Sequence, residues 1–279
     1  MNKKNINRYS YIGLLIVHSL LLIFTIYKKK NNRKAVFLSF LTVVGLAFYF
    51  EYPLYILEAY KYKTKFIKNK EQDNSLGSIF SQALFVPTVG IFISAFQLGW
   101  KIKLLFTLYF FIIERTFLTL KIYTNKWWKT KYTAFFLFVS FYISDTCYKE
   151  IKKGNKLMLK LAVYNTFHVL YMSLFFILSL FKKFKFKPVA FTKKSWYFHY
   201  AFVKLYLSFE TIMTAFLLER RNRINVLPIS LIVGIDSILI KLRILNVKGG
   251  YWRTILPIRL LSHLLLLRLK KVYGSLSPD

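Results

Sequence analysis

Eight apolar runs of about 17 to 23 residues lie along this chain, at Tyr9–Tyr27, Ala35–Leu57, Leu76–Leu98, Ile102–Leu120, Tyr132–Tyr148, Leu161–Phe181, Trp196–Leu218 and Val226–Leu245. The stretches between them are short and rich in lysine and arginine. A helix needs about 20 apolar residues to cross a bilayer, and a spanning barrel would need polar alternation along ~10-residue strands, which is not visible. The pattern therefore predicts an all-α fold: a polytopic transmembrane helical bundle of about eight spans (seven to nine), forming a single integral membrane domain over 1–279. The tail 246–279 has an apolar core, Ile255–Leu267, that is short and interrupted by Arg259 and His263. It is expected either as a ninth span or as an interfacial helix.

Composition sharpens this reading. The chain carries 43 Lys+Arg against 11 Asp+Glu, a net charge of +32, yet 56% of it is hydrophobic. A soluble protein of that charge would bind nucleic acid or another polyanion on a solvated basic face. Here the bases flank apolar runs instead, so no nucleic-acid partner is expected. The expected partners are the lipid bilayer and, at the basic loops, anionic head groups. The loop FKKFKFKPVAFTKK (181–194) alternates aromatic and basic residues as an interfacial segment would, although simple solvated flanking charge also accounts for it. The expected location is the cell (cytoplasmic) membrane, multi-pass. Lys and Arg are nearly balanced between the two sides, so the positive-inside rule does not orient the chain. The run after MNKKNINR is longer than a signal-peptide core and lacks an A-x-A-like site, which favours an uncleaved first span. No internal repeat and no soluble domain are visible. The single cysteine, Cys147, excludes an intramolecular disulfide and reads as a small buried hydrophobe.

Charges inside the apolar runs are the informative exceptions. In LLFTLYFFIIERTFLTLKIY (104–123), eleven strongly apolar residues favour insertion by roughly 3 to 7 kcal/mol, while Glu114 and Arg115 oppose it by about 5 to 7 kcal/mol. Adjacent residues point about 100° apart on a helix, so the pair does not neutralise itself and the segment needs neighbours. Projection puts Thr107, Glu114, Arg115 and Thr119 on one half and Leu105, Tyr109, Ile113 and Phe117 on the other. In 196–218, Phe202, Leu205, Phe209, Ile212 and Phe216 form one face, and His199, Lys204, Glu210, Thr211 and Thr214 gather opposite; this arc is the expected partner of Glu114 and Arg115. The run 226–245 carries a stripe of mostly small residues, Ser230, Gly234, Ser237 and Lys241, suited to close helix approach, with Asp236 about 120° away. The candidate buried polar or transport site is Glu114, Arg115, Lys204, Glu210, Asp236, His168 and His199. Interhelical ion pairs that only fix packing are the competing explanation.

The segment DNSLGSIFSQALFVPTVGIFISAFQLGW (73–100) combines several devices. Asn74 or Ser75 can cap its start, Gly77/Ser81 and Gly90/Ser94 offer small-residue surfaces, and Pro87 cannot donate to the Ala83 carbonyl and should kink the span. A broken helix with Gln82 nearby suits an ion or solute, while a packing kink is the commoner use. Trp127 and Trp128 read as an interfacial anchor, and Glu51 and Glu58, on either side of Pro53, as solvated interface carboxylates. No zinc, nucleophile-elbow, phosphate-loop or dinucleotide motif is present, so no catalytic residue, metal or cofactor is expected.

DNSLGSIFSQALFVPTVG (73–90) and IERTFLTLKIYTNKWWKTKYT (113–133) resemble segments of a group of multi-pass membrane proteins from low-GC Gram-positive, spore-forming bacteria. The resemblance implies a bacterial cytoplasmic membrane and one helical unit over most of the chain, and it carries no activity. The expected function is that of a non-enzymatic membrane protein, structural, accessory or sensory, with a buried charged helix interface. The alternatives are a small-ion or proton-coupled solute transporter, and an embedded enzyme acting on lipids through His168 or His199.

Overall fold

A long first helix, α1 (Lys3–Lys28), passes through a 3₁₀ turn into α2 (Arg33–Ile56). The computed structural model describes residues 3–187, 195–219 and 226–274. After α2 come β1 (Tyr60–Tyr62), α3 (Lys70–Phe80), a π-helical turn (Ser81–Phe85), α4 (Val86–Ala95), α5 (Trp100–Thr119), β2 (Tyr123–Asn125) and α6 (Thr130–Lys152). The chain continues with α7 (Lys156–Leu180), β3 (Phe184–Phe186), α8 (Ser195–Glu219), α9 (Leu227–Lys241), β4 (Leu245–Val247), α10 (Tyr251–Thr254) and α11 (Leu256–Gly274). The fold is all-α apart from two three-residue antiparallel ladders, β1 with β2 and β3 with β4. Its contacts divide the chain into two compact units, Met1–Ala162 and Val163–Pro278.

Among the described residues, five helical stretches are long and apolar enough to cross a membrane: Asn5–Lys28, Lys30–Ile56, Lys70–Ala95, Lys156–Leu180 and Trp196–Leu217. The other expected runs are helical too, as α5, α6 and α9, but fall short of that measure of length and apolarity. Packing within these helices is inverted relative to a protein in water. On α8, Leu205, Phe209, Ile212 and Phe216 are 54–60% exposed, whereas His199, Lys204, Glu210, Thr211 and Thr214 are all buried. Apolar surface left outside and polar groups gathered inside is the arrangement an apolar solvent favours.

Three local expectations are corrected. Asn69, not Asn74 or Ser75, caps α3: its Oδ1 accepts from the N–H groups of Glu71 and Gln72, and Asn74 instead accepts from the Tyr62 N–H at 2.8 Å. On α5 the buried stripe is Lys103, Thr107, Phe110 and Glu114, at spacings of four, three and four, so Arg115 and Thr119 face outward with Leu104 and Leu108. The 230/234/237/241 stripe of α9 is exposed, and nothing lies within 4 Å of a Cβ placed on Gly234. Asp236 and Ile232 form the buried side of that helix instead.

The expected kink is present and has a definite form. Pro87 has no N–H, and the helix absorbs it by widening into the π turn, in which the Val86 N–H reaches back to the Ser81 carbonyl. The small residues on this stretch make close contacts. A Cβ on Gly77 would lie 2.4 Å from Tyr62 Cβ, and Ser94 Oγ sits 3.1 Å from Ser144 Oγ.

The two units share one plan: helix, strand, two helical segments, strand, helix. At each helix-to-strand junction the second residue past the helix has a left-handed backbone, Glu58, Lys121, Lys182 and Arg243, with φ between 50° and 57°. The following N–H closes back on the helix at every junction, Ala59 to Leu54, Ile122 to Phe117, Lys183 to Leu178 and Ile244 to Leu239, at 2.9–3.0 Å. Tyr123 opens β2 and Leu245 opens β4, 122 positions later. The same offset carries buried Phe110, Glu114, Leu137, Phe141, Ser144 and Ile151 onto buried Ile232, Asp236, Arg259, His263, Leu266 and Tyr273. Tyr60 and Phe184, which open β1 and β3, are 124 positions apart. This internal repeat replaces the expectation of none: it is written in burial pattern and junction geometry, with little shared residue identity.

Candidate functional site

The second unit buries an ionic node built from five elements. Arg259, near the start of α11, places Nη2 2.9 Å from Asp236 Oδ1 and Nη1 2.7 Å from Glu210 Oε2. Its Nε lies 2.6 Å from Asp236 Oδ2, off the hydrogen-bond direction. Glu210 comes from α8 and Asp236 from α9, and all three side chains are at most 4% exposed. Two acids against one guanidinium leave a formal charge of −1. Tyrosine hydroxyls spread it: Tyr206 and Tyr251 donate to Asp236 at 2.8 and 2.6 Å, and Tyr171 donates to Glu210 at 2.6 Å. Phe175 and Tyr206 rings lie 5.3 and 5.9 Å from the guanidinium. Glu210 Oε1 has no hydrogen-bond partner among the described residues.

The structure thus brings together Glu210 and Asp236 from the expected set and adds Arg259, which the sequence showed only as an interruption of the tail. His168 is fully buried, 3.1 Å from Thr211 Oγ1. His199, equally buried, meets Ser179 Oγ at 2.9 Å through Nε2 and accepts from the Phe186 N–H at 3.1 Å through Nδ1. Lys204 lies on the buried arc of α8. In the loop read as interfacial, the alternation of 184–186 belongs to strand β3: Phe184 and Phe186 are buried and Lys185 covers the Trp196 ring at 4.3 Å. Residues 188–194 of that loop lie outside the described residues.

In the first unit Glu114 is buried and Arg115 exposed, so the two charges do not act as a pair. The bond recorded to Glu114 comes from Asn125 Nδ2 at 3.4 Å, a long contact. Glu51, expected as a solvated carboxylate, is 2% exposed. It accepts from Ser78 Oγ at 2.8 Å, from Gln82 Nε2 at 3.1 Å and from the Tyr60 hydroxyl. The π turn and the helix before it supply Gln82 and Ser78. Burial first, and then the Glu51 carboxylate, hold the Tyr60 and Tyr62 phenols neutral well above their ordinary range. Glu58 is half-buried, paired with Lys61 at 3.3 Å and with Lys126. Buried Lys103 and half-buried Asp145 meet at 2.6 Å.

Beside Glu114 lies a cavity of about 240 Å³, open on one side and walled mostly by apolar side chains. Its polar lining includes Tyr11, Tyr60, Tyr62, Gln82, Glu114 and Tyr123, and α6 lines it from Thr133 to Ile143, about 15 Å of helix, with Thr133 and Ser140 among mostly apolar side chains. The internal repeat relates this cavity to the ionic node. Tyr171, Tyr206, Glu210, Asp236 and Arg259 of the second unit fall on Ala47, Gln82, Val86, Glu114 and Leu137 of the first, and all five line the cavity. One acid, Asp236, is matched by an acid, Glu114, whereas the other falls on Val86, the two tyrosines on Ala47 and Gln82, and the arginine on Leu137.

Among the described residues no group of three or more His, Cys, Asp or Glu side chains is placed to hold a metal ion. No protein-family model, curated protein or solved structure matches the chain.

Proposed function

We propose that the chain is a non-enzymatic multi-pass protein of the cytoplasmic membrane, made of α1 followed by two repeats of four crossing segments. That gives nine crossings, the upper end of the range expected from the sequence. α3 and α4 count as one crossing, as do α10 and α11. The tail joins the bundle because α11 takes the place in the second repeat that α6 takes in the first, with matching buried positions. The observation that carries the membrane reading is α8, whose apolar face is exposed while its charged face is buried. In this reading the Arg259–Asp236–Glu210 node fixes helix packing, because hydrogen bonds from three tyrosines and the guanidinium close it.

Cysteine labelling at the segment ends, in a Cys147→Ser background, tests the crossings: opposite accessibility at the two ends of α11 is expected, and equal accessibility defeats the ninth crossing. The packing role is tested by Glu210→Gln in reconstituted vesicles, which should lower stability without changing ion or proton flux. A transporter is the second reading, favoured by the repeat and by Glu210 Oε1, which has no hydrogen-bond partner among the described residues. It prevails if Glu210→Gln stays folded and abundant and abolishes a flux.

A further inference from the structure

We infer that the first repeat is a binding site for an amphiphilic organic cation, an alkylammonium or alkylguanidinium, whose charged head meets Glu114 and whose chain lies along α6. The inference rests on the first unit's cavity and on the repeat, and it stands whether or not the ionic node serves only packing.

Three observations point to a cation. At the repeat-equivalent position Asp236 receives a guanidinium, from Arg259, whereas the counterpart of Arg259 is Leu137, which supplies no cation and lines the cavity. The polar atoms left over near Glu114 are able to accept hydrogen bonds. Tyr11, 1% exposed and lining the cavity, has a hydroxyl without a hydrogen-bond partner among the described residues. Glu114 itself, 9% exposed, has only a long bond from Asn125 recorded to it. A ligand bearing N–H groups and positive charge satisfies both the Tyr11 hydroxyl and Glu114, and the rings of Tyr62 and Tyr123 add aromatic faces beside it. A carboxylate or phosphate would set like charge against Glu114.

The remaining wall argues against a small hydrated ion. Val43, Leu46, Phe136, Val139 and Ile143 offer an ion no ligand, the hydroxyls of Thr133 and Ser140 are already engaged with Trp128 and the Leu137 carbonyl, and a cavity of about 240 Å³ lined by about 15 Å of helix suits one alkyl chain. Such a ligand can be a free alkylamine or the head and one chain of an amino-lipid; both share the ammonium.

Binding is tested with octylammonium, octanol and octanoate added to the full chain in phosphatidylcholine nanodiscs. Octylammonium is expected to bind at least about tenfold more tightly than octanol, and octanoate least well. Equal affinities for the amine and the alcohol overturn the inference, with no variant needed. Glu114→Gln should bring the amine within about threefold of the alcohol. Leu137→Arg supplies the missing guanidinium from the chain itself: it should fold, melt no lower than the unsubstituted protein and lose amine binding. The same change in a Glu114→Gln background should melt lower. If Leu137→Arg melts equally in both backgrounds, Glu114 does not face the site and the inference fails. Discs containing phosphatidylethanolamine separate the two sources: weaker apparent octylammonium binding there identifies the lipid as occupant, and unchanged binding identifies the free amine.

Discussion

Arg259→Gln is the sharpest perturbation of the second unit. In the intact node Arg259 makes two contacts to Asp236 and one to Glu210, all within 2.6–2.9 Å and away from water. Removing the guanidinium takes the buried formal charge from −1 to −2 and leaves both acids without a cation. Breaking one side of a buried ion pair costs about 3–5 kcal/mol, a large share of the ~5–15 kcal/mol that holds a typical fold. Melting of the nanodisc-embedded protein, followed by tryptophan fluorescence, should show that loss. Adding Asp236→Asn to Arg259→Gln restores a buried charge of −1, and the amide oxygen still accepts from a tyrosine. The double variant should therefore recover about 1–2 kcal/mol relative to Arg259→Gln alone. A cost below about 1 kcal/mol for Arg259→Gln, or a double variant less stable than the single one, would show that water reaches the node and that its geometry does not set stability.

Other expectations follow from single contacts. Gly77→Ala should cost about 1–3 kcal/mol because its methyl meets Tyr62 Cβ at 2.4 Å, while Gly234→Ala, with nothing within 4 Å, should be neutral or stabilising by up to about 1 kcal/mol; melting temperatures of the two variants check the contrast. Lys121→Gly relieves a left-handed backbone at φ 57° and should raise stability by up to about 1 kcal/mol, measurable in the same melts. The hydrogen bond from Lys126, and then the Lys61 charge, hold the Glu58 carboxyl below its ordinary range. A depressed acid stabilises the fold above its unfolded value and loses that contribution as the pH falls through the folded one. Stability should accordingly decline by less than about 1 kcal/mol on acidification through the carboxylate range, and Lys126→Met should flatten that part of the profile.

Much of the architecture is legible in the sequence because it depends on composition over long windows. The apolar runs mark the helices, the spacing of Phe202 through Phe216 marks the outer face of α8, and Pro87 marks a break. What escapes is set by tertiary contact. Glu51 sits beside Pro53 near the end of an apolar run and looks like an interface residue, yet β1 folds back and caps it with Tyr60. Arg259 looks like a defect in a short span until Asp236 and Glu210 come into reach from two other helices. The α5 face is misjudged because Glu114 and Arg115 were given the same environment, whereas the stripe through Lys103, Thr107 and Phe110 buries only the first. The repeat is faintly written at its junctions: LEAYKY, LKIYTN, FKKFKF and LRILNV each place a charged residue second, where the backbone turns left-handed. Glycine usually marks such stops, so charged residues in that role conceal them.

The acids of the repeat give the last expectation. Three of the four helices that lead into strands carry an acid nine positions before the strand: Glu51 before Tyr60, Glu114 before Tyr123 and Asp236 before Leu245, with Phe175 in the fourth place. Each acid lies near a helix C-terminus, where the dipole disfavours negative charge, and each is buried. Their partners differ in strength, which ranks the cost of neutralising them. Asp236→Asn breaks the ion pair with Arg259 and should cost about 3–5 kcal/mol. Glu51→Gln weakens hydrogen bonds from Tyr60, Ser78 and Gln82, all neutral donors, and should cost about 1–3 kcal/mol. Glu114→Gln removes a charge supported by one long bond from Asn125 and, without ligand, should be neutral or slightly stabilising. Melting of the three variants in phosphatidylcholine discs decides the order. A Glu114→Gln loss as large as that of Asp236→Asn would mean that Glu114 already has a strong partner within the fold, leaving no unmet charge for a ligand to answer.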